Sequence, residues 1–194
     1  KTVLRGSVMQ IVLASGSPRR QSLLELLRPE FTCITPDVDE SRNEGETPKN
    51  YVSRLAIMKA SAVDAQGALV LGADTTVTIN NNVLGKPEDY EDATHMLSLL
   101  SGQSHQVMTG VAARCGDAIE SFVVTTTVTF VQLSKRDIAS YLDTAEPWDK
   151  AGAYAIQGRG GVFVEQIQGS YSSVVGLPLA ETKALIDKFC GAQR

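Results

Sequence analysis

The chain has 194 residues and a formal net charge of −4, with 43% hydrophobic and 21% charged residues. The length favours a single domain over residues 9–194, or at most two small lobes, with ample material for a core. The acidic balance argues against a nucleic-acid polymer as partner, and no apolar run is long enough to cross a membrane, so we expect neither kind of partner.

The cysteines and histidines argue against a disulfide framework and against a zinc site. Cys33, Cys115 and Cys190 are far apart and odd in number, and His95 and His105 lack ligand spacing. This usage predicts reduced, mostly core cysteines of an intracellular protein. A Ser-His-Asp triad is equally disfavoured.

The first predicted element is a strand that leads into a helix over the segment IVLASGSPRR. The preceding residues 1–8 show no clear period, so we expect Met9 to be the natural start and residues 1–8 to be a cloning remnant. Residues 11–13 are expected to form a buried strand. Ser17 fits a helix N-cap, with Pro18 at the first helical position.

Arg19 and Arg20 fall in the first turn of that helix, where the helix dipole is already positive. A cation there is unfavourable by roughly 0.3–1 kcal/mol, and a bound phosphate would reverse the sign. Two interpretations are open: a phosphate site, or two exposed arginines. If the first holds, Arg20→Ala weakens anion binding and leaves the empty protein no less stable.

The second helix, expected over residues 48–65 with Thr47 as N-cap, carries a lysine on its apolar face. Val52, Ala56, Lys59 and Val63 fall on one helical row. Either the Lys59 stem packs while its ammonium reaches water, or the ammonium is directed at an anionic site. The acidic loop between the two helices, residues 35–46, contains Asp37, Asp39 and Glu40.

Residues 69–79, LVLGADTTVTI, indicate a long buried strand that contains Asp74. A carboxylate in such a strand is unfavourable unless it is paired or bound to a metal. Asp74 is therefore either a functional acid or an aspartate that satisfies backbone groups at a strand end.

The remaining elements alternate between helices and strands. The pattern predicts a helix over residues 89–100, a hairpin of strands 104–115 and 119–131, a helix from Ser134 to about Thr144, a strand at 162–167, a turn at 169–176 and a helix over 178–189. This order indicates an α/β fold with a mixed, twisted sheet flanked by helices. Residues 146–161, rich in glycine and alanine, are longer than most connections and are expected to bind a ligand.

Seven blocks of sequence occur in order between residues 11 and 182: LASGSPRRQSLL, RLAIMKA, GADTTV, GKP, LSGQSHQVMTG, DKAGAYAIQG and GSYSSVVGLPLAET. Together they resemble the Maf family of nucleoside triphosphate pyrophosphatases. The resemblance implies an elongated fold similar to the inosine triphosphatases, with the nucleotide in a central cleft. It also implies a divalent cation (Mg²⁺ or Mn²⁺), a cytoplasmic location and commonly a homodimer.

The resemblance also implies roles for individual residues. The catalytic acid, a proton acceptor, falls on Asp74, and Glu40 is the second carboxylate that would hold the metal with it. The expected substrate-binding and specificity residues are Ser15, Arg19, Arg20, Lys59, Thr75, Lys86 and Gln157. The chain departs from many relatives at Ser173, where they have Asn, which puts any detailed role of that position in doubt.

The block DKAGAYAIQG resembles the branch of the family that acts on dTTP and UTP, and modified uridine triphosphates are further candidates. A uracil or thymine edge presents an acceptor, a donor and an acceptor, and the Gln157 amide offers one donor and one acceptor side by side. The alternative is that Gln157 only bonds its own loop.

The implied reaction is attack of water on the α-phosphorus with pyrophosphate as leaving group. Asp74 then takes the proton of the water, binds the metal, or does both, and the basic residues offset charge on the phosphates. Three alternatives compete: a nucleotide-binding regulator of cell division or septum formation that acts through a protein partner, a phosphatase that releases orthophosphate stepwise, and a plain interaction module.

Overall fold

A computed structural model describes residues 9–191 of the chain. Residues 1–8, which we expect to be a cloning remnant, lie outside the described residues, as do residues 192–194.

A seven-stranded mixed sheet forms the centre of the fold. Its strands are β1 (Ile11–Ala14), β2 (Thr32–Cys33), β3 (Leu69–Ile79), β4 (Asn82–Leu84), β5 (Ser104–Cys115), β6 (Ala118–Phe130) and β7 (Val164–Gln168). They follow the order β2-β1-β3-β5-β6-β7, and β4 pairs with one end of β3. β1 is parallel to β2 and β3, whereas the other pairs are antiparallel, so the mixed α/β sheet is confirmed.

Six α-helices flank this sheet in the described residues: α1 (Pro18–Glu25), α2 (Pro48–Ser61), α3 (Tyr90–Leu100), α4 (Lys135–Leu142), α5 (Tyr171–Val175) and α6 (Leu179–Gly191). The helices begin where the sequence predicts when a side chain caps their first turn. Thr47 Oγ1 accepts the Asn50 N–H at 3.2 Å, and Ser134 with Asp137 forms the capping box. Ser17 is the N-cap of α1, but its side chain makes no capping bond.

Alternating side chains of the strands pack against helices on both faces of the sheet. On one face Ile11 and Leu13 of β1 join a cluster with α1 and α6, and on the other Val12 and Ala14 join a cluster with α2. The far end of the sheet, around Phe130, packs on α3 and α4. The sheet is therefore buried where β1, β3 and β5 meet, and this is where the candidate site lies.

Some predicted elements were wrong. The turn expected at residues 169–176 contains α5, because Ser170 Oγ accepts the Ser173 N–H and caps a short helix. The expectation of mostly core cysteines fails as well, since Cys33 is exposed and the other two are only partly buried, although all are free.

Candidate active site

Two glycines let α2 approach the sheet closely enough to place a lysine over a buried carboxylate. A Cβ at Gly72 of β3 would lie 2.3 Å from the Ala56 carbonyl oxygen, and one at Gly110 of β5 would lie 2.5 Å from that of Val52. Gly110 is also the register partner of Asp74. The helix backbone therefore rests directly on the strand backbones beside Asp74.

Lys59 bridges the two candidate carboxylates. Its Nζ lies 2.7 Å from Asp74 Oδ1 and 2.7 Å from Glu40 Oε1. Lys59 and Asp74 are buried, whereas the Glu40 side chain is half exposed. Of the two interpretations of Lys59, the structure therefore shows the inward one, with the ammonium directed at anions.

The surroundings act differently on the two acids. Burial raises the pKa of Asp74 above its usual range, although the charges of Lys59 and Arg20 oppose this effect. Burial also acts to raise the pKa of Glu40, but the hydrogen bond and charge of Lys59, with Lys86 and Arg20, outweigh it and leave that pKa lowered. Asp74 is thus the more basic carboxylate, the property expected of a proton acceptor.

The loop that carries Glu40 is held in place from α2. The Tyr51 hydroxyl donates to the Glu40 carbonyl at 2.9 Å. Arg54 pairs with both oxygens of Glu46, at 2.7 and 2.8 Å, and donates to the Ser41 carbonyl at 2.9 Å. Arg54, whose charge suggests a phosphate ligand, instead fixes this loop.

Arg20 connects three parts of the chain. Its guanidinium donates to the Gly176 carbonyl at 2.9 Å, to Ser15 Oγ at 3.4 Å and to Thr75 Oγ1 at 3.1 Å. Burial lowers its pKa, while Asp74 acts in the opposite direction. These bonds join α1 to β3 and to the end of α5, so the structure predicts, against the expectation from the sequence, that loss of Arg20 also lowers the stability of the empty protein.

Behind Arg20 runs a chain of hydroxyl groups. Thr109 Oγ1 donates to the Ser173 carbonyl at 2.7 Å, so its 2.9 Å bond with Thr75 Oγ1 uses the Thr75 proton. Thr75 Oγ1 in turn accepts a hydrogen bond from Arg20, so the O–H bond of each threonine points in a fixed direction. Sequence reasoning missed Thr109, for which an alternating strand gives no signal. Ser173 takes part through its carbonyl, which the exchange of Asn for Ser leaves unchanged.

All of the predicted site residues line one cleft of about 500 Å³. They are Ser15, Arg19, Arg20, Glu40, Lys59, Asp74, Thr75, Lys86 and Gln157. Arg19 pairs with Asp149 at 3.6 Å across the opening, while Lys86 and Gln157 are exposed at the rim. No described residue hydrogen-bonds the Gln157 side-chain amide, so nothing here supports the alternative in which it only bonds its loop.

Asp74 and Glu40 are the two carboxylates that Lys59 brings together in the cleft. Lys59 Nζ already occupies a position 2.7 Å from an oxygen of each, so the two oxygens are no farther apart than twice that distance. Carboxylate oxygens are the ligands that Mg²⁺ and Mn²⁺ prefer. Within residues 9–191 there is no group of three or more His, Cys, Asp or Glu side chains able to hold a metal.

A cleft that joins several cationic groups to a paired, buried carboxylate defines an α/β protein suited to binding an anionic ligand such as a polyphosphate. The profile of the Maf-like protein family matches residues 10–189, and the chain belongs to this family. No helix within the described residues combines the length and apolar character needed to span a membrane.

Curated relatives match over nearly the whole chain. The chain is 54% identical to a dTTP/UTP pyrophosphatase of Photorhabdus laumondii, over 92% of this chain and 93% of the relative. It is 50% identical to a dTTP/UTP pyrophosphatase of Vibrio cholerae, over 94% of this chain and 100% of the relative. The solved structure of the Staphylococcus aureus Ham1 protein superposes with a TM-score of 0.55 at 16% identity, over 92% of this chain and 98% of Ham1. That likeness concerns the fold alone and agrees with the open mixed sheet.

Proposed function

We propose that this chain is a nucleoside triphosphate pyrophosphatase that hydrolyses dTTP and UTP to the nucleoside monophosphate and pyrophosphate. The observation that carries the proposal is the Lys59 ammonium held between Asp74 and Glu40 inside a cleft that also contains Arg19, Arg20 and Lys86. The relatives described above are named for this activity. They favour an enzyme over a nucleotide-binding regulator of cell division.

The cationic groups of the cleft suit the triphosphate. Arg20 is held by fixed partners and needs no rearrangement to present its charge, whereas Arg19 reaches the opening and Lys86 the rim. Preorganised cations lower the barrier of phosphate chemistry because they offset charge as it develops in the transition state. We assign stabilisation of the pyrophosphate leaving group to these cations.

The two carboxylates suit activation of water. Asp74 lies in a buried setting that raises its pKa, so it accepts the proton of the attacking water more readily than an exposed aspartate. Lys59 holds Asp74 and Glu40 together and, in our proposal, donates to an oxygen of the α-phosphate when substrate enters. A divalent cation, Mg²⁺ or Mn²⁺, held by Asp74 and Glu40 would supply Lewis-acid stabilisation of phosphate charge.

The loop that carries Gln157 suits a pyrimidine base. Gln157 lies at the rim with its amide free of hydrogen bonds to the described residues, and the neighbouring Ala155 and Ile156 also line the cleft. One amide offers a donor and an acceptor side by side, which match two adjacent positions on a uracil or thymine edge. A homodimer, a cytoplasmic location and a division-related partner stay predictions.

The test is a nucleotide panel with product identification. The purified protein is incubated with dTTP, UTP, CTP, GTP and ATP in the presence of Mg²⁺, Mn²⁺ or EDTA, and both products are quantified. The proposal expects pyrophosphate and the monophosphate from dTTP and UTP, and no turnover in EDTA. Stepwise release of orthophosphate would indicate a phosphatase, and tight binding without products would indicate the regulator.

A further inference from the structure

Glu146 follows α4 and lies against the loop of residues 155–161, which carries Gln157. Both of its carboxylate oxygens accept hydrogen bonds from the backbone of this loop. Its Oε1 accepts the Gly160 N–H at 2.9 Å and the Tyr141 hydroxyl at 2.8 Å, and its Oε2 accepts the Arg159 N–H at 2.9 Å. Burial acts to raise the pKa of Glu146, but these donors outweigh it and leave the pKa lowered. An ionised carboxylate therefore holds the C-terminal end of the loop.

Tyr141 holds the other end of the same loop. Its hydroxyl donates to Glu146 and accepts the Ala155 N–H at 3.1 Å. The ring is buried and packs edge-on against Phe163, with the ring centroids 5.0 Å apart. Glu146 and Tyr141 therefore form one unit, the loop clamp, that binds the backbone on both sides of Gln157.

Two glycines of the loop fit closely against the clamp. A Cβ at Gly158 would lie 2.0 Å from Glu146 Oε2, and one at Gly160 would lie 2.9 Å from the Tyr141 hydroxyl oxygen and 2.8 Å from the Ala155 carbonyl oxygen. The loop backbone thus lies directly on the carboxylate and the phenol. This fit indicates a loop shaped around these two side chains.

We propose that Glu146, supported by Tyr141, is a positioning residue that sets the selectivity of the cleft for pyrimidine triphosphates by fixing the backbone that presents Gln157. Among the described residues, Ala155, Ile156 and Gln157 line the cleft, whereas the two clamp residues do not. The clamp acts through the loop without touching the substrate. The inference rests on the proposed function, because it needs a substrate whose base is read.

The test compares Glu146→Gln with two further variants. Glutamine keeps the shape of the side chain but turns one of its acceptors into a donor that faces a backbone N–H. Glu165→Gln makes the same chemical change on the exposed side of β7 and is the matched control. Tyr141→Phe removes only the hydroxyl, so it tests the clamp even if Glu146→Gln does not fold.

Three quantities are measured for each variant: kcat, KM for dTTP and UTP, and the inhibition constant of inorganic tripolyphosphate, which has no base. For Glu146→Gln we expect KM to rise about tenfold, the factor typical of one lost charge-assisted hydrogen bond. The kcat and the tripolyphosphate constant should match those of the control. Tyr141→Phe should give the same pattern with a smaller rise.

An unchanged KM in both clamp variants would overturn the inference, and so would a parallel rise in the tripolyphosphate constant, which would show general damage to the cleft. Failure of the proposed function looks different, because the unmodified protein itself would then not release pyrophosphate from dTTP or UTP.

Discussion

Replacing Asp74 by asparagine separates a catalytic role of this carboxylate from a purely structural one. The change keeps the shape of the side chain and an oxygen for Lys59, and Glu40 still supplies a charge 2.7 Å from the ammonium. What it removes is the carboxylate that accepts the proton in the proposed reaction. Loss of a general base lowers turnover by about 10²–10⁴-fold, which corresponds to about 3–5 kcal/mol in the barrier.

The free energy of unfolding of the same variant should not fall together with its turnover. The pKa of Asp74 is raised in the folded state, mainly by burial, so folding favours the protonated form of this group more than the unfolded chain does. The stabilisation from this group is complete below the unfolded pKa and is lost as the pH rises through the folded pKa. At pH 7, above the unfolded pKa, the raised pKa therefore lowers the stability relative to acid, and a neutral asparagine should leave the free energy of unfolding unchanged or raise it. That difference should shrink in acid.

The assay measures kcat for dTTP and urea unfolding at pH 7 and in acid, with Asp117→Asn in the exposed β5–β6 turn as control. If Asp74 served only as the partner of Lys59, removal of its charge would be expected to lower the free energy of unfolding by about 3–5 kcal/mol. Such a loss, or turnover close to that of the control, would refute the reasoning.

The two arginines and a buried histidine give further predictions. Arg19→Ala should raise KM and change the free energy of unfolding by less than about 1 kcal/mol, because its pair with Asp149 is long and only partly buried. Arg20→Ala should raise KM and also lower the free energy of unfolding, by about 1–3 kcal/mol, because partly buried hydrogen bonds are lost; equal stability of the two variants in urea would contradict this. Burial lowers the pKa of His105 from 6.5 to about 4, so the unfolded chain binds a proton before the folded one does. Unfolding should therefore become easier by up to about 3 kcal/mol as the pH falls from 6.5 towards 4, and urea titrations of His105→Asn should lack this part of the pH dependence.

The helix starts and long strands of the fold follow from local chemistry. Thr47, Asp89 and Ser134 are recognisable caps, and the hairpin of β5 and β6 has alternating strands around a Gly-Asp turn. The short α5 was missed because its capping serine lies in a segment dominated by turn formers, where local sequence does not distinguish a turn from one turn of helix.

The residues of the candidate site could be named from the sequence, but their contacts with one another could not. Asp74 and Lys59 attract notice because a charge on a buried strand or an apolar helix face needs a partner. That each is the partner of the other depends on α2 resting on Gly72 and Gly110, a contact between distant segments. Thr109 carries no such signal, since a buried threonine is ordinary in a strand.

The most direct measurement of the central claim is the position of water attack. The protein is allowed to hydrolyse dTTP in water enriched in ¹⁸O, and both products are analysed by mass spectrometry. Attack on the α-phosphorus, with Asp74 as proton acceptor and pyrophosphate as leaving group, predicts one labelled oxygen in dTMP and none in pyrophosphate. Label in pyrophosphate, or release of orthophosphate in its place, would contradict it.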